Sequence, residues 1–209
     1  MHPELEKLKQ RRIIPVVTLA NAQDASPLAE ALIKGGLPCA EITLRTDAAI
    51  DSIRTMSQRK DIQVGAGTVL KIDQVKAAVD NGATFIVSPG LNPKVTQYCI
   101  EQKIPITPGI TNPTDIEMAL ELGLEVVKFF PAEAFGGVKT LQAISTPYGM
   151  IQFIPTGGIN INNLVDYLRL PSVFACGGSW MVRSELIAKQ QFDVITKLTK
   201  EAVSVCLLR

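Results

Sequence analysis

The chain is poor in histidine, and this limits the chemistry available to it. His2 is the one histidine among 209 residues. A Ser-His-Asp or Cys-His nucleophile system would lack its base, and a histidine-rich metal centre would lack its ligands. Any catalysis must therefore use lysine, carboxylates, arginine and backbone groups, and we expect neither a metal nor an organic cofactor.

An excess of one charge and long apolar runs are also missing. Lysine and arginine number 21 against 20 aspartate and glutamate residues, so no field of one sign indicates a nucleic acid or an anionic membrane as partner. No apolar stretch approaches the roughly 18 residues of a membrane-spanning helix. The charged residues 1–12 lack the apolar centre of a signal peptide. We expect a cytoplasmic protein that binds neither nucleic acid nor membrane.

The four cysteines, Cys39, Cys99, Cys176 and Cys206, are widely spaced and contain no CxxC pair. This spacing argues against a zinc site and against a disulfide framework. Free, buried thiols are the prediction.

Apolar runs that resemble buried parallel strands recur along the whole chain. Helical spacing lies between them, with Asn92-Pro93 and Asn112-Pro113 as helix starts and Gly82 and Gly123 as helix ends. This alternation predicts a (β/α)8 barrel with a short N-terminal helix, built as a single domain over residues 1–209. The alternative is an open doubly wound sheet, which would need a Gly-rich loop after the first strand that residues 16–21 lack. The eight predicted strands are 13–19, 39–45, 62–69, 85–90, 105–110, 126–131, 152–158 and 173–179.

Lys128 lies alone inside one of these apolar runs, on the same strand face as Phe130. Glu41 and Arg45 share one face of another run, while Ile42 and Leu44 lie on the opposite face. Buried charges need partners or a function. A structural ion pair, or a lysine that reaches solvent, is the alternative to a catalytic group.

The three charged residues fit one reaction. Burial disfavours the protonated form of a lysine amine, and a neutral Lys128 can attack a ketone to form a Schiff base. Glu41 can move protons during this step, and Arg45 can hold a carboxylate with two hydrogen bonds. The iminium then accepts electrons from a neighbouring carbon–carbon bond. Cleavage that releases an aldehyde follows without a metal.

A glycine pair lies at the end of each of the last two predicted strands. The first pair is Gly157-Gly158, which follows Thr156, and the second is Gly177-Gly178, which precedes Ser179. Such loops let backbone N–H groups approach an oxyanion, and phosphate sites in this fold often use them. Each pair alone is weak, because turns use glycine for backbone reasons. Thr68 ends a third strand, where its hydroxyl can contact a substrate oxygen. For Arg12 a solvated helix end is favoured over a role at the site.

Seven segments, taken together and in order, resemble the KDPG/KHG aldolase family. They are Glu-Ile-Thr-Leu-Arg at 41–45, Gly-Ala-Gly-Thr at 65–68, Val-Ser-Pro-Gly at 87–90, Pro-Gly at 108–109, Val-Lys-Phe-Phe-Pro-Ala at 127–132, Pro-Thr-Gly-Gly-Ile at 155–159 and Gly-Gly-Ser-Trp at 177–180. The resemblance implies a homotrimeric (β/α)8 barrel and a pyruvate-forming class I lyase. The implied reactions are cleavage of 2-dehydro-3-deoxy-6-phosphogluconate to pyruvate and glyceraldehyde 3-phosphate, and of 4-hydroxy-2-oxoglutarate to pyruvate and glyoxylate.

The resemblance also implies a role for each matching residue. Lys128 matches the Schiff-base lysine and Glu41 the general acid and base. The residues that match the substrate-binding positions are Arg45 and Thr68 near the carboxylate, Pro89 and Phe130 along the pocket, and Thr156, Gly157, Gly158, Gly178 and Ser179 at the distal, phosphate end.

Two other functions stay open at this point. One is a phosphosugar isomerase or epimerase that works without a covalent intermediate, and the other is a noncatalytic phosphometabolite-binding barrel. The preferred keto acid, the extent of oxaloacetate decarboxylation and the role of Arg183 are not fixed by the sequence.

Overall fold

The computed structural model of the protein describes residues 1–207, in which strands and helices alternate. The strands are β1 (Ile13–Val17), β2 (Cys39–Thr43), β3 (Gln63–Gly67), β4 (Ile86–Val87), β5 (Ile106–Thr107), β6 (Gly109–Ile110), β7 (Val126–Phe129), β8 (Gln152–Pro155) and β9 (Cys176–Gly178). The helices are α1 (Pro3–Arg11), α2 (Ala25–Lys34), α3 (Ala49–Ser57), α4 (Ile72–Asp80), α5 (Pro93–Glu101), α6 (Pro113–Glu121), α7 (Gly137–Ser145), α8 (Leu164–Leu168), α9 (Ser184–Ala188) and α10 (Phe192–Leu207). Residues 208 and 209 of the predicted domain lie outside the described range.

All strand pairs are parallel, and they form an α/β fold with a curled sheet. One sheet has the order β5-β4-β3-β2-β1-β9 and the other the order β6-β7-β8. Isolated parallel bridges join Phe153 to Val173 and Thr156 to Gly177, next to β8 and β9. Because parallel strands begin and end together, their carboxyl ends form one edge, where the predicted site residues should meet.

Each of the eight predicted strand runs contains a strand, but the run 105–110 does not form a single one. It divides into β5 and β6 on either side of Pro108. Proline has no N–H group and interrupts a ladder of backbone hydrogen bonds. Its carbonyl still takes part, since it accepts a hydrogen bond of 2.9 Å from the backbone N–H of Lys128.

The helix ends follow the predicted signals. The side chain of Asn92 accepts a hydrogen bond from the backbone of Lys94, and that of Asn112 accepts one from the backbone of Asp115, each at 3.1 Å. These contacts satisfy N–H groups that the first helical turn leaves free. Gly82, at φ +99°, follows the end of α4 in the left-handed conformation typical of a helix C-terminus.

The core runs between the sheet and the surrounding helices. Every residue of β2 and of β3 is buried, as expected for parallel strands covered on both faces. Helix α1 contributes Leu5 and Leu8 to the same hydrophobic cluster, which extends along the chain to Cys206. The four cysteines are buried and free. Among residues 1–207, no helix combines the length and apolarity that crossing a membrane requires.

Candidate active site

Lys128 and Glu41 meet inside the fold although 87 residues separate them in the chain. Lys128 Nζ lies 3.4 Å from Glu41 Oε1, and the two side chains are only 7% and 4% exposed. Lys128 belongs to β7, where Gly109 and Ile154 are its register partners on the two neighbouring strands. The lysine therefore has a backbone fixed on both sides and an amine that faces one carboxylate.

Gly67 on β3 makes room for the Glu41 carboxylate. A Cβ atom at position 67 would lie 2.8 Å from Cγ and 2.9 Å from Cδ of Glu41, and closer still to Oε1. Ordinary carbon contacts are about 3.5–4.0 Å. From the sequence, Thr68 alone was given a contact with substrate in the segment 65–68, and this role of Gly67 was not predicted. A signal for this role was present in the sequence, because a glycine inside a buried strand often marks a place where another group packs closely against the backbone.

Arg45 and Thr68 lie together at the ends of β2 and β3. Arg45 Nε donates a hydrogen bond of 3.2 Å to Thr68 Oγ1. Arg45 is exposed at the mouth of the fold, and Thr68 has a left-handed backbone with φ +58°. This conformation is uncommon for a β-branched residue. It accompanies a guanidinium that lines the same cavity as Lys128.

Phe130 lies beside the reactive lysine. Lys128 Nζ is 5.0 Å from the centre of the Phe130 ring, within the range of a cation–π contact. The apolar ring lies on one side of the amine, and the Lys128 side chain as a whole is only 7% exposed to solvent.

A cavity of about 400 Å³ opens above these residues. Its size suits a small metabolite. The residues that line it are Val16, Thr18, Arg45, Lys128, Phe130, Thr156, Gly157, Gly158, Ile159, Gly177, Gly178, Ser179, Val182, Arg183, Ser184 and Glu185. Eight of the eleven predicted site residues are therefore in one cavity wall, and two more, Glu41 and Thr68, contact wall residues directly.

Pro89 and Arg12 do not line this cavity. Pro89 follows β4, and its carbonyl carbon and oxygen lie against Gly109, where a Cβ would overlap them. Arg12 precedes β1, at the amino-terminal end of the strands, and its Nη2 donates a hydrogen bond of 2.9 Å to the carbonyl of Leu168. Arg12 therefore lies away from this cavity at a helix end, but it is half-buried and bound to a backbone carbonyl, so the predicted solvated helix end is wrong in that respect.

The loop after β8 supplies the distal part of the cavity wall. Gly157 and Gly158 have φ values of +99° and +82°, a backbone region that favours glycine. The loop is tied to the one after β7, because the N–H of Ala132 donates to the carbonyl of Thr156 at 2.8 Å and the N–H of Glu133 donates to that of Gly157 at 3.0 Å.

A side-chain pair beneath this loop was not predicted. Buried Tyr167 donates a short hydrogen bond from its hydroxyl group to the carboxylate of Glu133. A Cβ at Gly158 would lie 2.6 Å from the Cβ of Glu133, so glycine allows the two loops to pack closely. Burial, with the Glu133 carboxylate as second cause, raises the pKa of Tyr167, which therefore stays a donor at neutral pH.

Arg183 reaches the same cavity from the segment after β9. Its Nε donates a hydrogen bond of 3.2 Å to the carbonyl of Trp180.

Within residues 1–207, no cluster of three or more histidine, cysteine, aspartate or glutamate side chains is arranged to hold a metal ion. The chemical groups of the cavity are an amine beside a carboxylate, two guanidinium groups, one further carboxylate, hydroxyls and a glycine-rich backbone.

Comparisons with known proteins agree with this chemistry. The family described as KDPG and KHG aldolase matches residues 5–198. The 2-dehydro-3-deoxy-phosphogluconate aldolase of Haemophilus influenzae is 50% identical over 96% of this chain and 95% of that protein. The KHG/KDPG aldolase of Escherichia coli is 43% identical over 91% and 90% of the respective chains.

A solved structure extends the similarity to three dimensions. The KDPG aldolase of Legionella pneumophila, with pyruvate captured as a covalent carbinolamine intermediate, superposes with a TM-score of 0.92 at 38% identity and covers 97% of this chain and 98% of that one. The family match spans most of the sequence, and several relatives exceed one-third identity over nearly their full length. The chain therefore belongs to the KDPG and KHG aldolase family.

Proposed function

We propose that this protein is a class I aldolase that cleaves 2-dehydro-3-deoxy-6-phosphogluconate to pyruvate and glyceraldehyde 3-phosphate. We propose that it also cleaves 4-hydroxy-2-oxoglutarate to pyruvate and glyoxylate. The observation that supports this most directly is the buried contact of 3.4 Å between Lys128 Nζ and Glu41 Oε1, beside a cavity that Arg45 also lines. The names of the relatives supply both substrates.

The reaction begins at Lys128. Its neutral amine attacks the ketone carbon, and the resulting carbinolamine loses water to give an iminium, with Glu41 transferring the protons. Glu41 then accepts the proton of the hydroxyl group two carbons from the iminium carbon. The bond that breaks joins the hydroxyl-bearing carbon to the CH₂ carbon next to the iminium. The aldehyde leaves, and the electron pair of this bond forms an enamine. Protonation of the enamine and addition of water release pyruvate and restore the amine.

The remaining residues position the substrate. Arg45, oriented by its hydrogen bond to Thr68, is proposed to bind the carboxylate next to the ketone. Phe130 is proposed to line the pocket beside the amine, 5.0 Å from the centre of its ring. The assignment of Pro89 to the pocket rests on the resemblance alone. The distal hydroxyl and phosphate groups are assigned to the residues of the last two strand ends, which are Thr156, Gly157, Gly158, Gly178 and Ser179.

We also infer the finer architecture. Pro108 alone separates β5 from β6, so the two short strands can be counted as one. Bridges next to β8 and β9 connect the remaining open edge. These features support a closed (β/α)8 barrel, and the continuous core from Leu5 to Cys206 supports a single domain over residues 1–209. A homotrimer is proposed from the resemblance, and sedimentation equilibrium tests it. The cytoplasmic location stays a prediction from the sequence.

Trapping with borohydride tests the covalent mechanism. Reduction in the presence of pyruvate should leave one stable adduct, which peptide mass spectrometry assigns to Lys128. Lys128→Met should remove the adduct and the cleavage of both substrates, while Lys139→Met, which changes an exposed lysine on α7, should keep them. Glu41→Gln should lower the turnover number by about 10²–10⁴.

The opposite outcome favours a noncovalent isomerase or a binding protein. A Lys128→Met variant that still turns over, or a wild-type protein that forms no adduct at saturating pyruvate, would rule out the proposed mechanism. Solvent exchange of the pyruvate methyl protons gives a separate measure, because the enamine must form and be protonated again for deuterium to enter.

A further inference from the structure

The cavity has three cationic side chains, and the proposed function uses two of them. Lys128 reacts with the ketone and Arg45 binds the adjacent carboxylate. Arg183 is the remaining cation among the lining residues. The substrates carry a second anionic group at their far end, so a second positive partner is chemically expected in the cavity.

Arg183 is held where it can serve as this partner. It follows a short helical turn after β9, and the hydrogen bond from its Nε to the carbonyl of Trp180 fixes one edge of the guanidinium. The next residue, Ser184, donates a hydrogen bond of 3.4 Å to the carbonyl of Thr18, which seats the segment over the end of β1. In the chain from residue 1 to 207, Arg183 forms no ion pair. Its outer nitrogens therefore remain available to a ligand.

The length of the substrate decides which anion Arg183 can bind. In 4-hydroxy-2-oxoglutarate the far carboxylate is attached to the carbon that carries the hydroxyl group, next to the bond that breaks. In the phosphorylated substrate, two more carbons and an ester oxygen separate that carbon from the phosphorus. Arg183 lines the cavity together with Ser179 and Gly178, the residues assigned to the distal end. A guanidinium matches the geometry of phosphate oxygens and can donate two parallel hydrogen bonds.

We propose that Arg183 binds the terminal phosphate and makes this enzyme prefer phosphorylated keto acids to 4-hydroxy-2-oxoglutarate. The inference rests on the proposed function and adds a selectivity residue to it. Glu185 also lines the cavity, two positions further along the chain. Its carboxylate repels a phosphate dianion and so limits the preference that Arg183 provides.

The test compares kcat and KM for both substrates in wild-type protein, Arg183→Met and Arg183→Lys. Arg183→Met should raise KM for the phosphorylated substrate by about 10-fold or more, the factor expected for a lost charge-assisted hydrogen bond at an exposed site. The ratio of kcat/KM between the two substrates should fall by the same factor. Arg183→Lys should restore part of it, since the charge is kept and the planar fork is lost. The control is Arg169→Met, because Arg169 pairs with Asp166 at 3.5 Å and does not line the cavity.

An unchanged ratio in Arg183→Met, or an equal loss for both substrates, overturns the proposal. Glu185→Gln provides a second measurement that does not depend on the folding of the Arg183 variants, and it should lower KM for the phosphorylated substrate. A higher KM in Glu185→Gln also contradicts the proposal. A different result would contradict the proposed function itself: wild-type protein that cleaves neither substrate and forms no borohydride adduct with pyruvate.

Discussion

Substitution of Gly67 by alanine tests whether the position of the Glu41 carboxylate controls the reaction. The new methyl group would lie 2.8 Å from Glu41 Cγ, where ordinary contacts are about 3.5–4.0 Å, so the side chain must move by about 1 Å. The backbone at position 67 does not have a positive φ, so the effect is steric and not conformational. The carboxylate would move away from its place 3.4 Å from Lys128 Nζ.

A misplacement of about 1 Å can lower a rate by about 10²-fold, which is within the range of about 10²–10⁴ attributed to a general acid or base. We expect Gly67→Ala to lower kcat by about 100-fold and the free energy of unfolding by about 1–3 kcal/mol, the usual cost of an extra methyl group in a packed interior. The assay follows pyruvate release, and urea unfolding measures stability.

The matched control for this experiment is Gly149→Ala, on the connection between α7 and β8. A Cβ at Gly149 meets no atom within 4 Å, so activity and stability should stay close to those of the wild type. A folded Gly67→Ala protein with wild-type kcat would refute the idea that the Glu41 carboxylate must occupy its observed position.

Three further substitutions or conditions have defined outcomes. Tyr167→Phe removes the hydrogen bond to Glu133 and should lower the free energy of unfolding by about 0.5–1.5 kcal/mol, measured with urea, because the exposed Glu133 carboxylate can bind water instead; an unchanged value would mean that the bond does not stabilise the loops. Burial raises the pKa of Cys39 and of Cys99 from 9.0 to about 12, so the folded state binds more protons than the unfolded state between these values. The free energy of unfolding should therefore fall as pH rises from about 9 to about 12, by up to about 1.4 kcal/mol per pH unit for each thiol, and Cys39→Ala should reduce this slope. Arg45→Met should raise KM for both substrates by similar factors, and an effect confined to the phosphorylated one would place the carboxylate elsewhere.

Simple rules predicted the meeting of Lys128 and Glu41. Lys128 is the one charge in its apolar run, and Glu41 shares one face of its run with Arg45 while apolar residues take the opposite face. The period of two assigned each charge to a face, and parallel strands bring their carboxyl ends to one edge. These rules use only local sequence. They could not give the 3.4 Å distance between the two side chains, which depends on the room left by Gly67 on a third strand.

The contacts beneath the distal loop could not be predicted in this way. Glu133 follows β7 and Tyr167 lies on α8, and 34 residues separate them. Neither residue interrupts a pattern, since a loop glutamate and a helical tyrosine are ordinary in their places. Pro108 is different, because its missing N–H group was visible in the sequence and would have predicted the division of β5 from β6.

Lys128 is carried by the middle strand of the sheet β6-β7-β8, whereas Arg183 belongs to the connection after β9. Substitutions in that connection leave the backbone hydrogen bonds of β7 in place. The two halves of the cavity can therefore change at different rates in evolution. A descendant of this chain can acquire a preference for a different group at the far end of its substrate through substitutions in the connection after β9 alone. The position of its nucleophile on β7 is then inherited unaltered.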